Sequence, residues 1–231
     1  MSENRDIINI IQDPCKDMFI SLLISSVSFE SFDILYKNLF ECCDNKNTEI
    51  LVKIDNILEI NKYYDLLINF NTSFKILIYN KLYGRLSNHI FFNDLSKISN
   101  GKLIWPIYED LSIVKGNWFI SLKNIYDNKI YKDNIYNIAL PMDNGKGTKQ
   151  ICGANIITKE WRDFFGVISP FPNLDRWLRE LSVGIGRYIG IDEKNLLTHF
   201  PPGNRTLSKE ERKKFFYPEI KKYIQLFNLR K

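Results

Sequence analysis

The sequence predicts an α/β fold built on a mostly parallel central sheet flanked by helices. Short apolar runs of strand length recur through the first half, and each is followed by a stretch whose apolar residues return at helical spacing. Strands separated by helices are joined by crossovers, which make neighbouring strands parallel. A further observation bears on function. Polar residues gather where the apolar runs stop, the edge at which parallel sheets collect ligands.

The elements read in order. "MFISLLIS" (18–25) is a buried strand ending in small polar residues, and "FESFDILYKNLFECC" spaces Phe29, Phe32, Leu35, Leu39 and Phe40 as a helix does. "EILVKID" and "ILEINKYYDLLINF" repeat the pair. "FKILIYN" is a third strand, and "NHIFFNDLSKIS" is a helix stopped by Asn100-Gly101. "KLIWPIYED" is the fourth strand. Beyond it the pattern turns mixed: a helix in "NWFISLKNIYDN", a strand in "NIYNIALPMD", a Gly/Lys loop over 143–150 and a strand in "ICGANIIT". A short helix, "KEWRDFFG", closes at Gly166 and leads into the irregular "VISPFPN". "LDRWLRELSVGIGRYIG" (174–190) reads as one helix, and "EKNLLTHF" as a last strand ending at His199. Ser208 and Glu211 form the capping box of a terminal helix.

Composition narrows the class. A chain of 231 residues, 45% hydrophobic and 26% charged, has the make-up of a globular protein with one substantial core. The net charge of +5 is spread out, and its densest cluster, "KEERKK", is broken by acids. That is a solvated helix face and not an arm for nucleic acid. No apolar run approaches the ~20 residues of a membrane span, and the first residues lack a secretory pattern. The four cysteines show no paired spacing, which suits reduced thiols and a cytoplasmic location.

Several chemistries drop out. No phosphate loop or dinucleotide fingerprint is present, and "GIGRYIG" lies late in its expected helix. Two histidines exclude a multi-histidine zinc site, and no nucleophile elbow appears. Carboxylates at element ends say more. Asp55 ends the second strand, Glu109 and Asp110 end the fourth, and Asp175 opens a late helix; Ser25, Ser26, Asn56 and Asn80 occupy similar strand ends. Each has a plain reading as a turn or helix-start residue, and His199 taken alone reads as structural. Together they supply what a nucleotide-sugar enzyme needs: acceptors for ribose or base, hard oxygen ligands for Mg²⁺ or Mn²⁺, and a base for an attacking hydroxyl.

The order of these pieces resembles a family 2-type glycosyltransferase of the GT-A fold, in the small form found in viruses and marine microbes. The resembling segments run from "MFISLLISSVSFESFDILYKNLFECCDNKNTEILVKIDN" through "LSNHIFFNDLSKISNGKLIWPIYEDLSIVKGNW" to "ICGANIITKEWRDFFGVISPFPNLDRWLRELSVGIGRYIGIDEKNLLTHFPP". The resemblance implies a single GT-A-like domain: a nucleotide-binding half at 18–110, an acceptor half with a mixed sheet at 111–207, and a C-terminal helix at 208–231. It implies that Ser25–Ser28 and Asp55 cradle the nucleotide. Tyr108-Glu109-Asp110 would stand where the family carries its D-x-D metal motif, with Asp110 the main ligand and His199 completing the shell. Asp175 would be the general base. The chain departs from the pattern at Tyr108, in the first D-x-D position, and at Asn56, where a second Asp is common.

The expected activity is metal-dependent, inverting transfer of a sugar from a UDP- or GDP-sugar to an acceptor hydroxyl. The rival expectation is a catalytically degenerate module of the same fold that binds a nucleotide sugar or glycan.

Overall fold

The computed structural model describes residues 10–12, 18–41, 45–69, 72–79, 87–109, 111–113, 118–143, 149–191, 197–199 and 208–230. Four strands, β2 (Ile20–Ser25), β3 (Thr48–Ile54), β4 (Ser73–Ile78) and β5 (Leu103–Ile107), lie parallel in the order β4-β3-β2-β5. The expected parallel half is therefore present. A short strand not anticipated from the sequence, β1 (Ile10–Gln12), pairs antiparallel with the outer edge of β4.

Side chains alternate across this sheet and make two cores. Ile20, Leu22, Ile24, Ile50, Val52, Ile54, Trp105 and Ile107 face one side, against α1 (Phe29–Phe40), α2 (Ile60–Asn69) and α4 (Trp118–Asp127). Trp105 and Trp118 meet there edge to face at 5.1 Å. Leu23, Leu51, Leu77 and Ile104 face the other side, against α3 (Asn88–Lys97), α5 (Lys159–Phe165) and α6 (Leu174–Gly184). Helices on both faces explain why these strands are predominantly apolar, with few exceptions such as Glu49 and Lys53. Ser28 caps α1 and Thr158 caps α5, each accepting an amide hydrogen bond from its helix.

The second half is mixed, as expected. β7 (Asn137–Asp143) and β8 (Lys149–Thr158) form an antiparallel hairpin, and β8 joins the first half by pairing Leu103 with Thr158 and Ile104 with Ile157. That ladder stops before Pro106, which has no amide hydrogen to give. The outer edge of β7 is shared: β9 (Tyr188–Gly190) takes Asn137–Ala139, and β10 (Leu197–His199) takes Met142 and Asp143. A final strand, β6 (Leu111–Ile113), pairs antiparallel with β10.

Four expectations change. The single helix over 174–190 ends at Gly184, because Gly186 turns left-handed at φ 67° and the chain returns as β9. The loop expected over 143–150 is narrower: Asp143, Lys149 and Gln150 are paired in the hairpin, while 144–148 lie outside the described residues. Leu111–Ile113, between the fourth strand and the next helix read from the sequence, is a strand of its own. Asn100-Gly101 does not itself stop α3, which ends at Lys97. Instead Asn100 hydrogen-bonds Glu49, and Gly101 packs so closely on Ile20 and Ser21 that a side-chain carbon there would collide with their backbone.

The capping box is as expected, with reciprocal hydrogen bonds between Ser208 and Glu211. The terminal helix it opens comprises α7 (Lys209–Glu211), a π-helical segment (Arg212–Phe216) and α8 (Tyr217–Leu229). Phe216, Ile220 and Phe227 bury against Trp177 and Phe165. No described helix is long and apolar enough to cross a membrane.

Candidate active site

The strand order reverses between β2 and β5, since β3 lies on one side of β2 and β5 on the other. Such a switch point opens a crevice at the carboxyl ends of the strands. Here it is bridged by one contact: Glu109, in the turn after β5, accepts a hydrogen bond through Oε2 from the backbone amide of Val27, at 3.0 Å. The second oxygen, Oε1, is buried with no hydrogen-bond partner among the described residues. Burial pushes the Glu109 carboxyl up from its ordinary value, opposed by the neighbouring Ser26 side chain, the Val27 amide and the Lys53 ammonium.

Around this bridge the structure brings together four of the residues singled out from the sequence. Ser25 ends β2, with its hydroxyl buried and without a hydrogen-bond partner among the described residues. Ser26 is buried, and its hydroxyl is already engaged with Tyr63 Oη at 2.7 Å and the Ser28 carbonyl at 3.2 Å. Burial pushes the Tyr63 phenol well up, so it stays protonated. Asp55, in the bend after β3, forms an ion pair with Lys53 at 2.5 Å. Asn56 is exposed beside it, and its Oδ1 caps the following turn by accepting from the Leu58 amide at 3.1 Å. The Asn56 side-chain nitrogen has no hydrogen-bond partner among the described residues.

Lys53, Tyr63 and the contact of the Val27 amide with Glu109 were not anticipated. Lys53 left a trace: a lysine inside the apolar run of "EILVKID" has to be buried or to end the strand. Tyr63 and Val27 left none, because their roles depend on contacts 37 and 82 residues away in the chain.

Asp175 occupies the first turn of α6. Asn155, on β8, donates to the Asp175 carbonyl at 3.3 Å, and Asn155 is joined to Asn137 at 2.8 Å. Asn155 lies two residues before Ile157, the partner of Ile104, so α6 begins level with the carboxyl-terminal part of β5. The His199 backbone pairs with Leu111, the residue after Asp110. Asp110, Asn80 and the His199 side chain lie outside the described residues. Among the described residues no cluster of three or more His, Cys, Asp or Glu is assembled to hold a metal ion. Tyr108, in the first position of the expected metal motif, packs edge to face on Phe92 at 5.3 Å.

No family model matches the chain, and no curated protein matches its sequence. Solved structures do match. TarS 1–349 of S. aureus in complex with UDP superposes with a TM-score of 0.62 at 14% identity, over 90% of this chain and 64% of that one. The mannosyltransferase PcManGT of Pyrobaculum calidifontis, in complex with GDP-Man and Mn²⁺, gives 0.59 at 8% identity, over 88% and 62%. The glycosyltransferase GlyE of Streptococcus pneumoniae TIGR4 gives 0.51 at 9%, over 88% and 64%. The chain shares their GT-A-like fold. It spans 62% to 64% of the length of these three structures.

Proposed function

We propose that the chain is a metal-dependent inverting glycosyltransferase of the family 2 type, moving a sugar from a nucleoside-diphosphate sugar to an acceptor hydroxyl. The observation that carries the reading is the meeting of Ser25, Asp55 and Glu109 at the switch point of a GT-A-like sheet, where Ser25 Oγ and Glu109 Oε1 are buried without a hydrogen-bond partner among the described residues. Buried polar groups are normally satisfied, so unpaired ones at a ligand edge point to a polar ligand. The complexes of TarS with UDP and of PcManGT with GDP-Man support a UDP- or GDP-sugar as that ligand.

Asp55 and the Asn56 amide would receive the ribose or base, and Ser25 the edge of the nucleotide nearest β2. A divalent cation fits the donor set, because Glu109 Oε1 is a hard oxygen with no hydrogen-bond partner among the described residues and the β6–β10 register brings the His199 backbone beside the residue after Asp110. Asp110, Glu109 and His199 would hold Mn²⁺ or Mg²⁺; when bound, the cation neutralises charge on the diphosphate. Asp175 would take the proton from the acceptor hydroxyl as its oxygen bonds to the anomeric carbon. The bond from that carbon to the diphosphate oxygen breaks with its electron pair, and configuration inverts.

Calorimetric titration with UDP and GDP, with and without Mn²⁺, followed by an assay of donor hydrolysis, tests the reading. Cation-dependent binding with slow hydrolysis is the expected result. Metal-independent binding without hydrolysis would favour the second reading, a binding module with its chemistry lost, for which the packing of Tyr108 on Phe92 is the supporting observation.

A further inference from the structure

Two carboxylate–lysine pairs flank the two ends of β3, and they differ in one respect. Glu49, at the amino-terminal end, is saturated: its oxygens receive Ser21 Oγ at 2.6 Å, the Asn100 amide at 2.8 Å, Asn100 Nδ2 at 3.1 Å and Lys75 Nζ at 3.1 Å. With its lone pairs occupied, Glu49 can only staple the sheet to the loop before β5. Asp55, at the carboxyl-terminal end, has Lys53 Nζ at 2.5 Å as its polar side-chain partner among the described residues, and its side chain remains 11% exposed. A carboxylate offers about four lone-pair sites, so most of the Asp55 capacity is left over at the ligand edge.

Lys53 itself is 1% exposed, and its ammonium lies 4.1 Å from the Phe91 ring centroid. In register it sits between Ser25 and Leu77, and the apolar strand residues around it on that face are Leu23, Leu51 and Leu77, with Ser21, Glu49 and Lys75 lying toward the opposite end. Packing alone would place another aliphatic side chain there, because burying an ammonium costs free energy unless a partner compensates it. The compensation comes from Asp55, with Glu109 adding to it at longer range.

We propose that Lys53 is a positioning residue of the donor site: its ammonium anchors one Asp55 oxygen from within the core, so that the remaining lone pairs stand fixed toward the hydroxyl or N–H donors of the nucleoside. The inference deepens the proposed function and rests on it. Lys53 never touches the nucleotide; it removes the rotational freedom that Asp55 would otherwise lose on binding.

The experiment is a double-mutant cycle read by calorimetry with UDP and GDP, using Lys53→Met, Asp55→Asn and the double variant, with thermal unfolding recorded in parallel. Asp55→Asn is expected to weaken binding by about tenfold or more. Lys53→Met should weaken it comparably, and the double variant no further than either single change, because both remove one interaction unit. Lys75→Met is the matched control: it breaks the other buried pair, lowers the melting temperature and leaves nucleotide affinity unchanged. Should Lys53→Met fail to fold, Lys53→Gln, which keeps a donor without the charge, carries the same expectations. Wild-type affinity in the Lys53 variant, or losses that multiply in the double variant, overturns the inference while leaving the donor reading intact. Wild-type affinity in Asp55→Asn overturns the role of Asp55, and Lys53's with it. Wild-type protein that binds neither nucleotide overturns the proposed function and this inference together.

Discussion

Glu109 holds one strand end to another with a single oxygen, and its second is buried without a hydrogen-bond partner among the described residues. Its raised pKa is a stability statement with a definite sign. Between its ordinary value of 4.5 and its higher folded value, the folded chain binds more protons than the unfolded one. Stability contributed at this site therefore falls as pH rises through that window. Chemical denaturation of wild type and Glu109→Gln from pH 4 upward should show the difference moving in favour of the glutamine variant. A pH-independent difference would refute the burial argument. Asp175 stands differently, at a helix start held through its own carbonyl by Asn155. If it is the base, Asp175→Asn should lower kcat by about 10²–10⁴-fold and leave the nucleotide Kd within error; unchanged turnover would end that assignment.

Two glycines separate local from tertiary demands on the elements. Gly166 ends α5 in a left-handed conformation at φ 75°, and a side-chain carbon there would meet open space. Gly166→Ala should cost only the conformational strain, about 1 kcal/mol. Gly101 has no such backbone angle, but it lies against the backbone of Ile20 and Ser21, and its amide donates to Ser21 Oγ at 2.7 Å. Gly101→Ala must push β2 away from the chain entering β5, and about 3 kcal/mol is expected. Urea midpoints of the two variants check the ranking; equal losses would mean that the close approach at Gly101 relaxes freely. Both glycines read as helix punctuation in the sequence, and only Gly166 proves to be that.

Across the whole molecule, one sheet serves two tasks. Its parallel half carries Ser25, Asp55 and Glu109 at the switch point, and its mixed half carries Asp175 beside the β7–β8 hairpin and His199 beside β6. The division predicts separable defects. Asp55→Asn should raise the donor KM, and Asp175→Asn should lower kcat. In the double variant the two free-energy losses should add, because the residues share no described contact. Steady-state kinetics of the three variants would show it, and strong non-additivity would mean that the halves act as one unit.

The sequence by itself determined the parallel half, the mixed second half, the capping box and the identity of the polar strand ends. Alternation, helical spacing and capping are local signals, written within a few residues of where they act. The tertiary structure decided which of those polar groups still have lone pairs to offer. Glu49 is saturated by partners 28 and 51 residues away, Ser26 is engaged by Tyr63, and Asn56 spends its oxygen on its own turn. It also set the β6–β10 register, the return of 188–190 as a strand, and the anchoring of Asp55 from beneath by Lys53. These depend on which segments are brought together, and a linear pattern of apolar and polar residues does not carry that information until the sheet is built.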